Sequence, residues 1–407
     1  MNVSVEDAIS KTETLVNSDS CDNPREAVKR KVFSDRKWFQ NLFTELSGKP
    51  YAGQQPAFQK TSTNQLIQKA FVFCCSICVM FWSTTSGYIW MTFLGQLLLL
   101  HSFRWFRLTF MHACSHNAGI RSNRHANVLL GSLVAVLTLS GDFDTYCKDH
   151  RHQHHQIGSR PGHLSLLQKN DETYRYLLEA AGFQLGATVS ESWQHLIKTL
   201  CSPTFHAERL CSRLQATFLS PNKAHDLAAV AIWLVLMLLI YIEHNPSFAI
   251  AYLVTVTILF ECSSLLRQCV EHRWPVPDTG DRGRTTLGVM TSAIILCESP
   301  PCHTGEESQL EYWLSWVCWW ARVFFYHLPS RLLILTGDSP VHDWHHRNPS
   351  GDWPNSIYHR QADAELPVNE WGKYQETFGL LRAIQMTFVT LSFQSPRDLS
   401  DQCSAKG

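Results

Sequence analysis

The chain has 407 residues, 45% of them apolar and 17% charged, and its 35 basic residues balance its 35 acidic ones. That composition excludes collagen, coiled coil and wholly disordered chains, and the absence of surplus positive charge removes the electrostatic footprint of a nucleic-acid binder. Twenty histidines and fourteen tryptophans stand out, and histidine is the commonest metal ligand, so its placement matters most.

Residues 1–60 mix acids and bases without an apolar core segment and do not read as a secretory signal. The fourteen cysteines are scattered, several of them in apolar runs, and read as small buried residues rather than a disulfide framework. From Ala70 to Phe103 no residue is Asp, Glu, Lys or Arg, and Ser83-Thr84-Thr85-Ser86-Gly87 breaks the run near its middle. A hydrocarbon layer about 30 Å thick needs about 20 residues per helix, so this stretch predicts a helical hairpin with spans of about 66–84 and 88–110. A second apolar pool, Leu227 to Ile242 and Phe248 to Phe260, is divided by Glu243-His244-Asn245-Pro246-Ser247. It predicts spans of about 226–243 and 247–266 joined by a proline turn.

Val128 to Leu139 is short for a span and reads as re-entrant or interfacial. Trp313 to Leu335 holds Arg322, His327, Pro329 and Arg331 among many rings and reads as interfacial. Neither 70–103 nor 226–266 contains Lys or Arg, so every basic residue falls on one side of such a membrane, and the positive-inside tendency makes that side the cytoplasm. The fold expected is therefore all-α: four transmembrane helices in two hairpins under a cytosolic helical cap. Its parts are an N-terminal segment 1–63, a membrane domain 64–360 with a cytosolic insert 156–225, and a C-terminal segment 361–407 with a mobile end. Both termini are then cytosolic, and the expected location is the endoplasmic reticulum or a bacterial inner membrane.

Three histidine clusters follow apolar segments on that same side. His112-Ala113-Cys114-Ser115-His116 is an i, i+4 pair that puts two imidazoles on one helix face. His150-Arg151-His152-Gln153-His154-His155 packs four histidines so tightly that protonated rings would repel, so either the rings are solvated and neutral or something such as a metal cation holds their lone pairs. His342-Asp343-Trp344-His345-His346 is a third close group. Isolated histidines such as His125, His195, His206, His225, His244, His303 and His359 read as surface or satisfied polar groups, while His101, inside the second span, is a further candidate.

With its HxxxH, HxxxHH and HxxHH clusters, the chain resembles the integral-membrane fatty acid desaturases and their hydroxylase relatives over roughly residues 70 to 360. The resemblance extends to Arg267-Gln268-Cys269-Val270-Glu271-His272, which follows the fourth span as an arginine and a Glu-His pair do in that family. It implies two non-haem iron ions with dioxygen as cosubstrate, held by His112, His116, His150, His154, His155, His272, His342, His345 and His346. Spacing leaves open whether His150 or His152 fills the outer position of the middle box. Asp144, Asp149, Glu271 and Asp343, with His152, are placed in sequence to support those ligands, the carboxylates by accepting the far ring N–H. No His-Pro-Gly-Gly haem loop occurs, so electrons would come from a separate protein of cytochrome b5 or ferredoxin type.

The reading implied is a membrane oxidoreductase that uses dioxygen to desaturate an acyl chain or lipid-like substrate. Hydroxylation of a lipid or hydrophobic metabolite by the same family is the near alternative, and a histidine-rich metal transporter or sensor the distant one.

Overall fold

The computed structural model describes residues 23–121, 123–155, 171–275, 284–303 and 305–395, and it is mostly helical. The side chains of His152 and Gln153 and residues 156–170 of the expected insert lie outside that description.

The first apolar hairpin begins at Thr61, whose hydroxyl accepts the Asn64 N–H at 3.2 Å and so caps the helix Ser62–Ser86. Gly87, at φ 75°, ends it in the left-handed conformation that a residue with Cβ adopts at a cost. Ile89–Trp105 then returns against it. A Cβ at Gly95 would come 3.0 Å from that of Met80, which shows how closely the two backbones approach. The helical path does not stop at Trp105: it widens into a π-helical turn, Phe106–Met111, and ends in His112–Ser115.

The second hairpin pairs Lys223–Ile242, capped by Asn222, with a helix that starts at Pro246 and runs through a π-turn, Thr255–Leu259, to Glu271. The two hairpins share a core of Met80, Leu99, Phe103, Phe248, Tyr252 and Phe260.

Three of these helices, Ser62–Ser86, Lys223–Ile242 and Pro246–Glu271, are long and apolar enough to cross a membrane. The stretch expected as the second span is not among them. Its unbroken α-helix is 17 residues long, and Gln96, His101 and Arg104 dilute its apolar character. The expectation of an all-helical chain also misses a small parallel sheet in which Ala293–Ile295 pairs with Glu376–Phe378. Three-residue strands are too short to leave a readable alternation.

Below the hairpins lies a helical layer. Arg124–Leu137 buries Asn127, Gly131, Val134, Ala135 and Val136. Leu380–Ser392, late in the chain, joins the same core as Leu265, Cys269 and Trp274 through Ile384, Phe388 and Leu391. The aromatic segment is a helix, Gln309–Arg322, continued by π-turns. It buries Trp319 against Phe43 and leaves Trp313, Phe324 and Phe325 exposed.

Candidate metal centre

Four stretches of chain deliver histidines to one place at the end of the hairpins. His112 ends the π-turn of the first hairpin and His116 follows it by four residues. His150 to His155 occupy a second π-turn, closed by the His155 N–H donating to the His150 carbonyl. His342, His345 and His346 lie on the short helix His342–Arg347. His272 is the first extended residue after Glu271.

The nine imidazoles divide into two groups: His112, His116, His150, His155 and His345 in one, and His154, His272, His342 and His346 in the other. Within each group the facing ring nitrogens all lie within 4.8 Å of one another. The groups adjoin, with the His155 and His346 rings 4.9 Å apart.

The division follows from local geometry. In an ordinary helix His154 alone would share the face of His150, but the i→i+5 bond of the π-turn brings His155 against His150 as well, with the His154 ring still stacked on it at 4.9 Å. His155 and His150 then meet Nε2 to Nε2 at 3.0 Å, while His154 turns to the other group. On the third box, the i, i+4 pair His342 and His346 meets at 3.0 Å in the four-histidine group, and His345 reaches His155 at 3.0 Å in the five-histidine group. His150, which spacing alone could not choose over His152, is buried among the five.

These contacts fit a cation better than a hydrogen-bond network. A ring nitrogen carries one hydrogen or one lone pair, yet His150 Nε2 lies 2.8, 3.1 and 3.0 Å from the Nε2 atoms of His112, His116 and His155. At most one of those contacts is a hydrogen bond. Lone pairs aimed at a shared point is the arrangement that satisfies all of them.

Electrostatics point the same way. Burial holds His150, His155, His342, His345 and His346 well below the ordinary imidazole pKa, lowers His116 to about 3 and lowers His272 to about 4. Neutral rings keep their lone pairs free for a metal. His154 is the exception. Burial opposes its protonation, but the Asp171 carboxylate outweighs that and holds its pKa above the ordinary value. The His154 Nδ1–H donates to Asp171 Oδ2 at 2.8 Å, which leaves the buried Nε2 without a partner and pointing into its group. Asp171 Oδ1 accepts the N–H of Thr173 and Tyr174, so one carboxylate orients a ring and caps a short helix.

The carboxylates expected beside the ligands are dispersed. Glu271 lies closest: its Oε1 is 3.4 Å from His342 Nε2, and it pairs with Arg267. Asp343 is buried but held by Arg360, whose Nε and Nη2 donate to it at 2.9 and 2.8 Å; Arg360 also bonds Glu376 at 2.9 Å. This ties the third histidine box to the small sheet. Asp149 is half-buried directly before His150, and Asp144 is exposed. His101 bonds the Leu332 carbonyl at 2.7 Å and Lys69 at 3.0 Å, away from the nine.

Sequence reasoning missed Asp171 and Arg360. The aspartate could have been found only as the N-cap before Glu172-Thr173-Tyr174, since seventeen residues separate it from the ring it holds.

Two adjoining, largely buried histidine groups that could hold metal ions, at the end of helices apolar enough to cross a membrane, mark a helical membrane protein with a candidate metal site. The family model described as fatty acid desaturase matches residues 88–355, more than half of the chain. The chain belongs to that family of oxidoreductases. No curated protein and no solved structure matches it.

Proposed function

We propose that this chain is a membrane-bound non-haem di-iron oxidase that uses dioxygen and external electrons to desaturate a fatty acyl chain or lipid-like substrate. Hydroxylation is the related outcome of the same chemistry. The observation that carries the reading is the convergence of nine imidazoles from four separate stretches into two adjoining groups.

In this reading His112, His116, His150, His155 and His345 hold one iron, and His154, His272, His342 and His346 the other. Imidazole suits iron, and a loaded iron pair supplies the reduction of dioxygen and the hydrogen abstraction from an unactivated carbon that no side chain can perform. Overall, desaturation removes two hydrogens from adjacent carbons and, with two electrons and two protons from a donor, reduces one dioxygen to two waters. Hydroxylation places one oxygen atom on carbon and releases the other as water, with the same two electrons.

The chain's own residues do the rest. Asp171 fixes the tautomer of His154, and Glu271 adds negative charge beside His342 that neutral imidazoles lack. The two apolar pools support four spans in two hairpins, and the one-sided distribution of Lys and Arg supports placing the histidines and both termini on the cytosolic face. That face is where a soluble donor of cytochrome b5 or ferredoxin type would dock.

The test is iron stoichiometry with donor-dependent oxygen uptake on the purified chain, followed by mass spectrometry of the lipid product. Two irons per chain and uptake that requires both donor and lipid support the proposal. A protein that binds zinc and leaves oxygen untouched overturns it in favour of metal transport or sensing.

A further inference from the structure

A cavity of about 220 Å³ lies against both histidine groups, with His112, His150 and His154 in its wall. In an enzyme that admits only hydrocarbon beside its metals, this wall would be mostly aliphatic. Here five guanidinium groups line it, from Arg104, Arg107, Arg209, Arg213 and Arg267. Three carboxylates face them. Glu172 lies 3.8 Å from Arg107, Glu261 is shared by Arg209 at 3.6 Å and Arg213 at 3.1 Å, and Glu271 pairs with Arg267.

Arg104 is left over. It is 2% exposed, donates to Ser264 Oγ at 2.6 Å, and has no carboxylate within ion-pair distance among the described residues. Its buried Nε has no partner. The Phe260 ring lies 5.2 Å from Arg104 and 4.4 Å from Arg213, which orients both cations without neutralising either. A buried positive charge without a counterion is costly, and an arriving oxyanion would remove the cost while taking charge-assisted hydrogen bonds.

We propose that this cavity binds an oxyanion group of the substrate, a carboxylate or a phosphate, and that oxidation takes place within a few bonds of it. The inference rests on the oxidase reading above and names the substrate class for that site. Proximity follows from size. A cavity of about 150 Å³ holds benzene, so one of 220 Å³ holds the acidic group and only a few further carbons between Arg104 and the histidine wall. A second cavity of about 480 Å³ shares Arg107, Ser140, Tyr146 and Glu172 with the first and offers room for the rest of the molecule. The substrate is then an acid oxidised near its acidic end, not a neutral chain oxidised at its middle.

The test uses the full iron-loaded chain in nanodiscs, with three probes that share one alkyl chain: octanoate, octyl phosphate and the neutral octanamide. Binding is read as the ligand-dependent rise in Tm. At least one anionic probe should bind about tenfold or more tightly than the amide, and which of them does so separates a carboxylate substrate from a phosphate one. Arg104→Gln should cost that probe about tenfold, and Arg104→Lys should keep most of its affinity. An anion held by iron alone would be insensitive to Arg104, and that result overturns the proposal.

Equal binding of acid and amide by the wild-type chain overturns it too, whether or not the variant folds. Oxygen uptake on the same samples separates the two readings. Oxidation of a neutral lipid that is indifferent to Arg104→Gln defeats the oxyanion pocket and keeps the oxidase. Anion binding at Arg104 in a chain inert to oxygen does the reverse.

Discussion

The two histidine groups sit side by side but are built differently. The five-histidine group gathers neutral rings from three boxes, with His116 and His155 half-buried, and its members contact one another through their Nε2 atoms. The four-histidine group is wholly buried and has carboxylates against it: Asp171 on the outer nitrogen of His154 and Glu271 beside His342. A dication surrounded only by neutral ligands is favoured by their number and by water access; one sealed in the interior needs negative charge nearby. The difference teaches that the two halves of the centre should respond separately to substitution, although they are only one ring contact apart.

The harshest way to break the comparison is His345→Ala, which removes one of the five rings but almost no apolar surface. Turnover should be abolished and iron should fall toward one per chain, while membrane insertion, read by protease protection, stays normal. An active variant would remove the third box from the site.

Acid should come next. Unfolded imidazoles titrate near pH 6.5, whereas burial lowers His116 to about 3 and His272 to about 4. For a base with a lowered pKa the folded state holds fewer protons. The stability each ring contributes is therefore full above about pH 6.5 and is lost as pH falls toward its folded value. In the metal-free chain each of the two should account for about 2 kcal/mol between neutrality and about pH 5. A Tm that stays flat over that interval would contradict the burial of both.

Asp171→Asn sharpens the comparison most directly. The amide keeps an oxygen for the Thr173 and Tyr174 N–H groups but loses the charge that holds His154. Metal affinity of the four-histidine group should fall by about 10- to 100-fold, with the other group unchanged. Titration with a chelator would then show one metal leaving early. If both metals leave together, the two groups are a single unit.

The sequence made the meeting of the boxes legible because the i, i+4 spacing of His112 and His116 puts two rings on one helix face and the distribution of Lys and Arg led to the expectation that all three boxes share one side. How the nine rings divide was not legible. It depends on a π-turn at 150–154 that no spacing rule distinguishes from an α-helix, in which His150 and His155 serve one group and His154 the other. Charge pairing was equally hidden. Asp343 stands beside a ligand in sequence yet belongs to Arg360, while Asp171 stands far from His154 in sequence and touches it. The arginines of the cavity come as Arg104 and Arg107 on one helical path, Arg209 and Arg213 one turn apart on Pro203–Phe218, and Arg267 on a third helix, so only the fold shows that the three meet.

Asp343→Asn should give the smallest effect and the one most different in kind. Asp343 touches neither group through a hydrogen bond to a ring; it anchors the helix His342–Arg347 to Arg360, which keeps Glu376 and the Gln375 carbonyl as further partners. That helix supplies His345 to one group and His342 and His346 to the other. Loosening it should therefore weaken both metals together and only a few-fold, because an isosteric amide still accepts a hydrogen bond from the guanidinium. Both affinities read in one chelator titration decide the point. A parallel, modest loss would identify the helix as the shared mount of two otherwise independent groups. A loss confined to the four-histidine group would mean that Asp343 acts through local charge, as Asp171 does, and that the mount is rigid without it.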